Sequence, residues 1–309
     1  MRRLALGVFA VWWLAAPAAS AADLEISEAE VAAQRARLAS LGFEQMLERQ
    51  QRLTRVSSEL RYRSAALCEQ RWSRVLGIVA ASATEIPEAY RETAYRRYGI
   101  DDLVKVLWVL PGYPAADADL RAGDTILEID GRETHFAAAL EQRSAGNLPN
   151  TTALKIERAG KVRDLQLETR IGCFRPAEVE ILDNIDAFTE GERIVVYSGL
   201  LRFLESDDEL AVILGHELAH ALLDDGPDPA AAELEVDALG LYLAARAGYD
   251  ISVARGLSQR FIREFPLALE TRTGHTHLSS PERSLALEAT TNEIQSKLER
   301  GEPLEPEMK

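Results

Sequence analysis

The chain has 309 residues, of which 47% are hydrophobic and 28% are charged. This composition is typical of a globular protein and excludes a disordered chain or a membrane protein with many spans. Acidic residues number 50 and basic residues 35, which gives a net charge of −15, with the acids spread along the chain. Nucleic acids and anionic membranes bind basic surfaces, so both are excluded as partners.

The first 22 residues have the three parts of a secretory signal peptide. Met1-Arg2-Arg3 is basic, residues 4–19 are apolar, and Ala19-Ser20-Ala21-Ala22 offers small residues for cleavage. We expect cleavage after Ala21 or Ala22 and export of the chain, to the periplasm if the source is a Gram-negative bacterium. The alternative is an uncleaved anchor, but the apolar run falls short of the ~20 residues of a span. No stable span is expected after cleavage.

The chain has two cysteines, Cys68 and Cys173. In an oxidising compartment two thiols tend to pair, and only one intramolecular pairing exists here. The sequence therefore predicts a Cys68–Cys173 disulfide, and the alternative is a pair of buried free thiols.

Residues 23–97 are predicted to form an N-terminal helical region. Between residues 26 and 63 there is no proline and one glycine, and apolar residues recur at helical spacing. One or two amphipathic helices are the expected result. Pro87 is placed to begin a further helix that ends near Arg97, because proline is favoured in the first helical turn.

Residues 98–170 are predicted to form a β-rich domain. A segment with small residues leads into Gly123-Asp124, a strand follows over residues 125–129, and Asp130-Gly131 makes a second turn. This pattern resembles a PDZ domain, most strongly over residues 109–132.

PDZ domains bind extended peptides by adding a strand to a sheet edge, often with the terminal carboxylate held by backbone amides. The candidate loop for this capture is residues 98–102. Its Asp101 and Asp102 would repel a carboxylate, which argues against capture of C-termini. The alternative is a PDZ fold that serves only as a spacer or lid.

The residues that carry chemistry lie in an apolar, helix-favouring segment, as His216-Glu217-Leu218-Ala219-His220. Two histidines four residues apart on a helix project from one face and can bind the same metal. Glu217 lies beside them, where it can act as general base on a metal-bound water. A chance match on a solvated helix is the alternative, although two of only five histidines have this spacing.

A second helix is predicted to begin at Asp228-Pro229 and to supply the third metal ligand. Glu233 and Asp237 are four residues apart and share one face of it. We expect Glu233 to be the ligand and Asp237 to orient a ligand histidine by accepting its N–H. Such an acidic pair could equally be an exposed helix face.

The region over about residues 171–287 resembles the zinc metallopeptidases that include the CAAX prenyl proteases, HtpX and BepA-like periplasmic proteases. Their signature is HExxH followed by ExxxD, matched here by His216, Glu217, His220, Glu233 and Asp237. The resemblance implies one catalytic zinc ion per chain in a mainly helical domain with a small sheet, over residues 171–309. It also implies protein substrates. Prenyl substrates are not expected, because this chain has no run of membrane helices.

Residues 276–283 resemble the His-Pro-Ser…Arg segment of the same family, with Leu278 in place of proline. The resemblance implies that His277 lies near the active site, where it stabilises the oxyanion or occupies the open zinc position at rest. Arg283 would support the site. The alternative for His277 is an exposed loop histidine.

The sequence thus predicts an α+β protein with a helical N-terminal region, a PDZ-like domain and a zinc peptidase domain. The expected activity is that of an exported metalloendopeptidase for extended or misfolded proteins in envelope quality control, with its substrate paired along residues 194–197. One alternative is a non-catalytic chaperone or adaptor with a structural or capped zinc. Another is a zinc hydrolase of cell-wall amides.

Overall fold

A computed structural model describes residues 26–68, 72–141, 143–144, 150–168, 170–223, 229–265 and 281–306. The predicted signal peptide lies outside these residues. The chain divides into two units between residues 38 and 39. The described part of the first unit is the start of helix α1 (Glu28–Arg63), where the side chains of residues 26–38 are exposed. A capping box begins this helix: the Glu30 amide donates to Ser27 Oγ, and the Ser27 amide donates to Glu30 Oε2.

In the second unit, the remainder of α1 buries one face. Its buried apolar side chains are Phe43, Leu47, Leu53, Val56 and Leu60, which recur at helical spacing. A 3-10 helix (Ala65–Leu67) follows and leads to Cys68, which forms a disulfide with Cys173 at a Cα–Cα distance of 5.5 Å. The disulfide joins the segment after α1 to strand β9 (Ile171–Cys173).

The larger sheet contains β2 (Ile78–Ala81), β3 (Val104–Val109), β4 (Thr125–Ile129), β7 (Thr151–Arg158) and β8 (Lys161–Glu168) in that order, and β5 (Arg132–Glu133) pairs with β4. All pairings are antiparallel. Alternating strand residues such as Val104, Val106 and Ile126 fill its core. Helices α2 (Glu88–Tyr98) and α3 (Pro114–Asp117) and a 3-10 helix (Ala137–Glu141) connect the strands. The sheet includes β2, so it begins before the predicted boundary at residue 98.

A small antiparallel sheet has the order β6 (Arg143–Ser144), β1 (Trp72–Arg74) and β9. Buried Arg61 of α1 donates to the carbonyl oxygen of Cys173, to Ser73 Oγ and to the carbonyl oxygen of Arg74. These bonds hold the end of α1 against the small sheet.

The third sheet contains β10 (Ala177–Glu180), β11 (Ala187–Glu190) and β12 (Arg193–Tyr197), in the order β10-β12-β11. The prediction that a substrate pairs along residues 194–197 is wrong, because β12 is the central strand and both its edges are already paired. Among the described residues, β11 has one unpaired edge. The outer edge of β10 is bonded by a side chain: Gln50 of α1 donates to Ala177 O at 3.1 Å and accepts from Val179 N at 3.0 Å.

Five helices complete the C-terminal part of the chain: α4 (Ser198–Phe203), α5 (Asp207–Leu222), α6 (Pro229–Arg246), α7 (Val253–Glu264) and α8 (Pro281–Arg300). They share one apolar core with α1 and the third sheet. The mixed helix and strand content, with a helical N-terminus, a PDZ-like β region and a helical C-terminal region, confirms the predicted α+β class. In the part of the chain that is described, no helix is both long and apolar enough to cross a bilayer.

Candidate metal centre

The start of helix α5 is fixed by a cap and by a buried ion pair. Ser206 Oγ accepts the amide of Glu209 at 3.1 Å, which satisfies one free N–H of the first turn. Arg260 of α7 donates to both carboxylate oxygens of Glu209 at 2.6 Å each. Burial opposes ionisation of Glu209, but the Arg260 hydrogen bonds outweigh it and hold the pKa of this carboxyl below its usual value. These contacts orient the helix that carries His216 and His220.

Helices α5 and α6 cross at two glycines. A Cβ added to Gly215 would lie 2.4 Å from the carbonyl oxygen of Gly240, and one added to Gly240 would lie 2.7 Å from the amide nitrogen of His216. Only glycine permits this approach of two helix backbones. Neither glycine was predicted as part of the site, although a glycine inside a helix costs about 1 kcal/mol relative to alanine and is itself a sign of close packing.

The crossing brings together the three side chains that were predicted as metal ligands. One donor atom from each of His216, His220 and Glu233 lies within 4.8 Å of the others. The two histidine Nε2 atoms are 3.1 Å apart, and Glu233 oxygens lie 3.4 Å from His220 Nε2 and 3.6 Å from His216 Nε2. Three donors from two helices therefore converge on one point.

Asp237 holds His216 from the opposite side of the ring. Its Oδ1 lies 2.9 Å from His216 Nδ1, and Arg283 donates to both its oxygens at 2.7 Å each. Burial would raise the pKa of Asp237, but the hydrogen bonds from His216 and Arg283 lower it to about 2. An ionised Asp237 accepts the Nδ1 proton, so the lone pair of Nε2 points toward His220 and Glu233.

The donor set fits zinc. Two imidazole nitrogens and one carboxylate are a ligand set found in catalytic zinc sites, where the fourth position is left for water. Glu233 Oε2 is buried and forms an ion pair with Arg283, whose Nη1 lies 3.0 Å away. Burial opposes ionisation of Glu233, but the hydrogen bond with His220 and the charge of Arg283 keep its pKa below the usual value. An ionised, buried carboxylate beside two imidazole nitrogens is suited to bind a cation.

Glu217 lies next to His216 and is 2% exposed. Burial raises its pKa to about 7. A carboxyl group that titrates near neutrality can both take and release a proton, as a general acid–base group must. Thr189 of β11, a residue that the sequence analysis did not select, donates from Oγ1 to the carbonyl oxygen of Glu217 at 2.9 Å and lies 3.3 Å from Glu217 Oε2.

Two other predicted residues have different outcomes. Arg283 is at the start of α8 and contacts the Asp237 and Glu233 carboxylates, so the structure brings it to the site. His277 lies outside the described residues, and its role stays a prediction.

A cavity of about 730 Å³ lies beside the outer edge of β2. Its walls come from β2, the 3-10 helix at Ala137–Glu141, one face of α1 and strand β10. The apolar lining includes Met46, Leu47, Ile78, Ala80, Leu107, Ala137 and Leu140. Residues 98–102 do not line this cavity, so the predicted capture loop is not part of it.

Comparisons with known proteins match two separate parts of the chain. Residues 165–227 match Peptidase family M48, and residues 105–158 match the PDZ domain. Glu233 and Asp237 lie beyond the matched peptidase residues. Among solved structures, the HtrA3 PDZ domain bound to a phage-derived ligand is 15% identical over 32% of this chain and 88% of that chain, with a TM-score of 0.24. The HtrA-type protease AlgW with a decapeptide is 20% identical over 32% of this chain and only 30% of that chain, with a TM-score of 0.25.

Proposed function

From a peptidase M48 domain preceded by a PDZ domain, we propose that the chain is a zinc-dependent endopeptidase that cleaves extended protein segments. The observation that carries the proposal is the convergence of His216, His220 and Glu233 beside the buried carboxyl group of Glu217. This is the arrangement that hydrolysis by an activated water requires.

The roles of the side chains follow from their contacts. His216, His220 and Glu233 would hold the zinc ion, which supplies a Lewis acid for the scissile carbonyl and lowers the pKa of a water. Glu217 takes the proton from the attacking water and passes it to the leaving amide nitrogen. Asp237 keeps His216 in the tautomer whose Nε2 faces the other ligands.

The proposed substrate-binding edge is strand β11. It is unpaired on its outer side among the described residues and packs against α5 through the contact between Thr189 and Glu217. An extended substrate that adds to this edge would run past Glu217. Addition to a strand edge needs a locally unfolded segment, which favours unfolded or misfolded proteins as substrates.

The second peptide site in this proposal is the cavity beside β2. Among the described strands, none pairs with the outer edge of β2, and the apolar lining offers contacts for side chains of an extended peptide. Its volume of about 730 Å³ lies within the ~300–1,000 Å³ range of ligand pockets. The PDZ domain would thus select clients that the peptidase domain cleaves.

Export and a role in envelope quality control complete the proposal. They are supported by the signal-like N-terminus, by a disulfide that suits an oxidising compartment, and by the preference of strand addition for unfolded chains.

The test pairs metal analysis with proteolysis. The purified protein should contain one zinc ion per chain and digest casein in a way that a chelator abolishes and added zinc restores. Glu217→Gln should keep the zinc and lose cleavage, whereas Glu235→Gln, on the exposed face of α6, should keep both. Well-folded protein without zinc, or cleavage that survives Glu217→Gln, would overturn the proposal. Suppression of client aggregation without cleavage would favour the chaperone alternative.

A further inference from the structure

Thr189 of β11 connects the proposed substrate edge to the proposed general base through its side chain. Its Oγ1 lies 2.9 Å from the carbonyl oxygen and 3.3 Å from the carboxylate Oε2 of Glu217. We propose that Thr189 is a positioning residue that aligns the bound substrate strand with Glu217, its backbone pairing with the substrate while its hydroxyl anchors Glu217 to β11. This inference rests on the proposed peptidase function.

The direction of the Thr189 backbone follows from the hydrogen bonds of β12. Thr189 faces Ile194 in the antiparallel pair, and the Ile194 amide donates to Pro176 O on the far side of β12. In such a pair, opposed residues alternate between exchanging two hydrogen bonds and exchanging none. Thr189 and Ile194 therefore form a pair without hydrogen bonds, so the N–H and C=O of Thr189 point away from β12.

A second hydrogen bond of β12 agrees with this assignment. Three residues from Ile194, the Tyr197 amide donates to Asp186 O at 3.1 Å, as expected for a hydrogen-bonded pair in the same register. Ala187 and Thr189 thus direct their backbone groups to the outer edge of β11, where the Ala187 amide already donates to Asp186 Oδ1. Of these two, Thr189 also contacts Glu217.

In this proposal Thr189 therefore contacts both the substrate strand and the general base. A substrate strand on β11 would bond to its N–H and C=O, while its hydroxyl donates to the Glu217 carbonyl oxygen and lies beside the Glu217 carboxylate, which holds Glu217 against β11. The substrate residue opposite Thr189 is then fixed relative to the base. This arrangement sets which peptide bond meets Glu217, and a small displacement of a reacting group can cost a large part of the rate.

The principal test compares two substitutions at Thr189 with a remote one. Thr189→Val keeps the β-branched shape and removes the hydroxyl, whereas Thr189→Ser keeps the hydroxyl. Thr189→Val should lower kcat by about 3- to 10-fold, as expected for one lost hydrogen bond, with KM changed less than about twofold. Thr189→Ser should recover most of kcat. Thr151→Val, at an exposed position of β7, is the matched control and should behave as wild type.

Two further readouts separate positioning from a structural role. Zinc content and the midpoint of thermal unfolding should be the same in Thr189→Val as in wild type. A peptide substrate scanned with single N-methylated amides should show a raised KM at alternate positions, because only alternate amides face the β11 edge.

The outcomes are distinct. If wild type cleaves casein and Thr189→Val has the same kcat, or loses kcat only together with zinc or thermal stability, the assignment of Thr189 is wrong while the peptidase function stands. A uniform response to N-methylation would exclude the backbone pairing. If wild type with zinc bound cleaves no protein, the proposed function itself fails.

Discussion

Arg283 donates hydrogen bonds to both carboxylate oxygens of Asp237, each at 2.7 Å, from Nε and Nη2. The pair joins the first turn of α8 to the middle of α6, and Asp237 extends the contact to His216 Nδ1. A helix that contributes no candidate ligand therefore determines how a ligand ring is oriented.

Asp237→Asn tests this chain of contacts. The amide can donate to His216 Nδ1 and so favour the wrong tautomer, and it weakens the pair with Arg283. We expect the Kd for zinc to rise about 10- to 100-fold, measured by competition with a chromophoric chelator. Asp164→Asn, on the exposed strand β8, removes the same charge and should leave Kd unchanged. Equal affinity in the two variants would show that Asp237 does not support the site.

Gly240→Ala tests the helix crossing. The new Cβ would lie 2.7 Å from the His216 amide nitrogen, so α5 and α6 must move apart. We expect the free energy of unfolding to fall by about 1–3 kcal/mol, as for other overpacked cores, with weaker zinc binding. Gly256→Ala on α7 is the control, because its Cβ meets no atom within 4 Å. That variant should gain up to about 1 kcal/mol from helix propensity. Urea unfolding of the metal-free proteins measures the stability of the two variants. If both variants were more stable than wild type, the close crossing of α5 and α6 would be contradicted.

The Cys68–Cys173 disulfide closes a loop with a sequence separation of 105 residues. Closing a long loop restricts the unfolded chain more than the folded one. We expect the double substitution Cys68→Ser and Cys173→Ser to lower the free energy of unfolding by about 2–5 kcal/mol. Urea denaturation measures this, and dithiothreitol should remove the difference from wild type. Wild type that is equally stable with and without reductant would contradict the prediction.

The pair of Glu209 and Arg260 predicts a pH dependence of stability. Because the pKa of Glu209 is lower in the folded state, its ionised form stabilises the fold above the usual carboxyl pKa, and this contribution is lost as the pH falls through the folded value. Glu209→Gln should cost about 2 kcal/mol at pH 7, as for one lost charge of a buried pair. The difference from wild type should shrink between pH 5 and pH 3. If the difference in the free energy of unfolding between wild type and Glu209→Gln stayed constant across these pH values, the stabilising role of the ionised Glu209 would be refuted.

The two helices that carry the candidate ligands could be predicted because the residues that identify them lie close together in the sequence. Spacing of four residues places His216 with His220, and Glu233 with Asp237, on single helix faces, and the structure brings these faces together. Thr189 could not be found in this way, because it is 28 residues from Glu217 and meets it only when β11 packs against α5. The order of strands in a sheet is also a long-range property. The β-rich residues 194–197 show that a strand forms, but not that it becomes the central one.

The β-rich domain illustrates the same limit. Its turns at Gly123 and Gly131 have positive φ angles, which their Gly-Asp and Asp-Gly sequences indicate. The short strand β2 has only four residues, and its membership of the larger sheet depends on pairing with β3 across the intervening helix α2. The cavity that we propose as a peptide site therefore lies beside β2 and not at residues 98–102.

The bonding of Gln50 to β10 has a consequence for self-association. A sheet with two open edges can join a neighbour on each side and grow into a fibre, whereas a sheet with one open edge can join only a single neighbour. Gln50 already engages the carbonyl oxygen of Ala177 and the amide of Val179. Edge-to-edge joining through the third sheet would therefore stop at a pair of molecules, so the proposed binding of substrate strands on β11 would not lead to polymers through the same sheet.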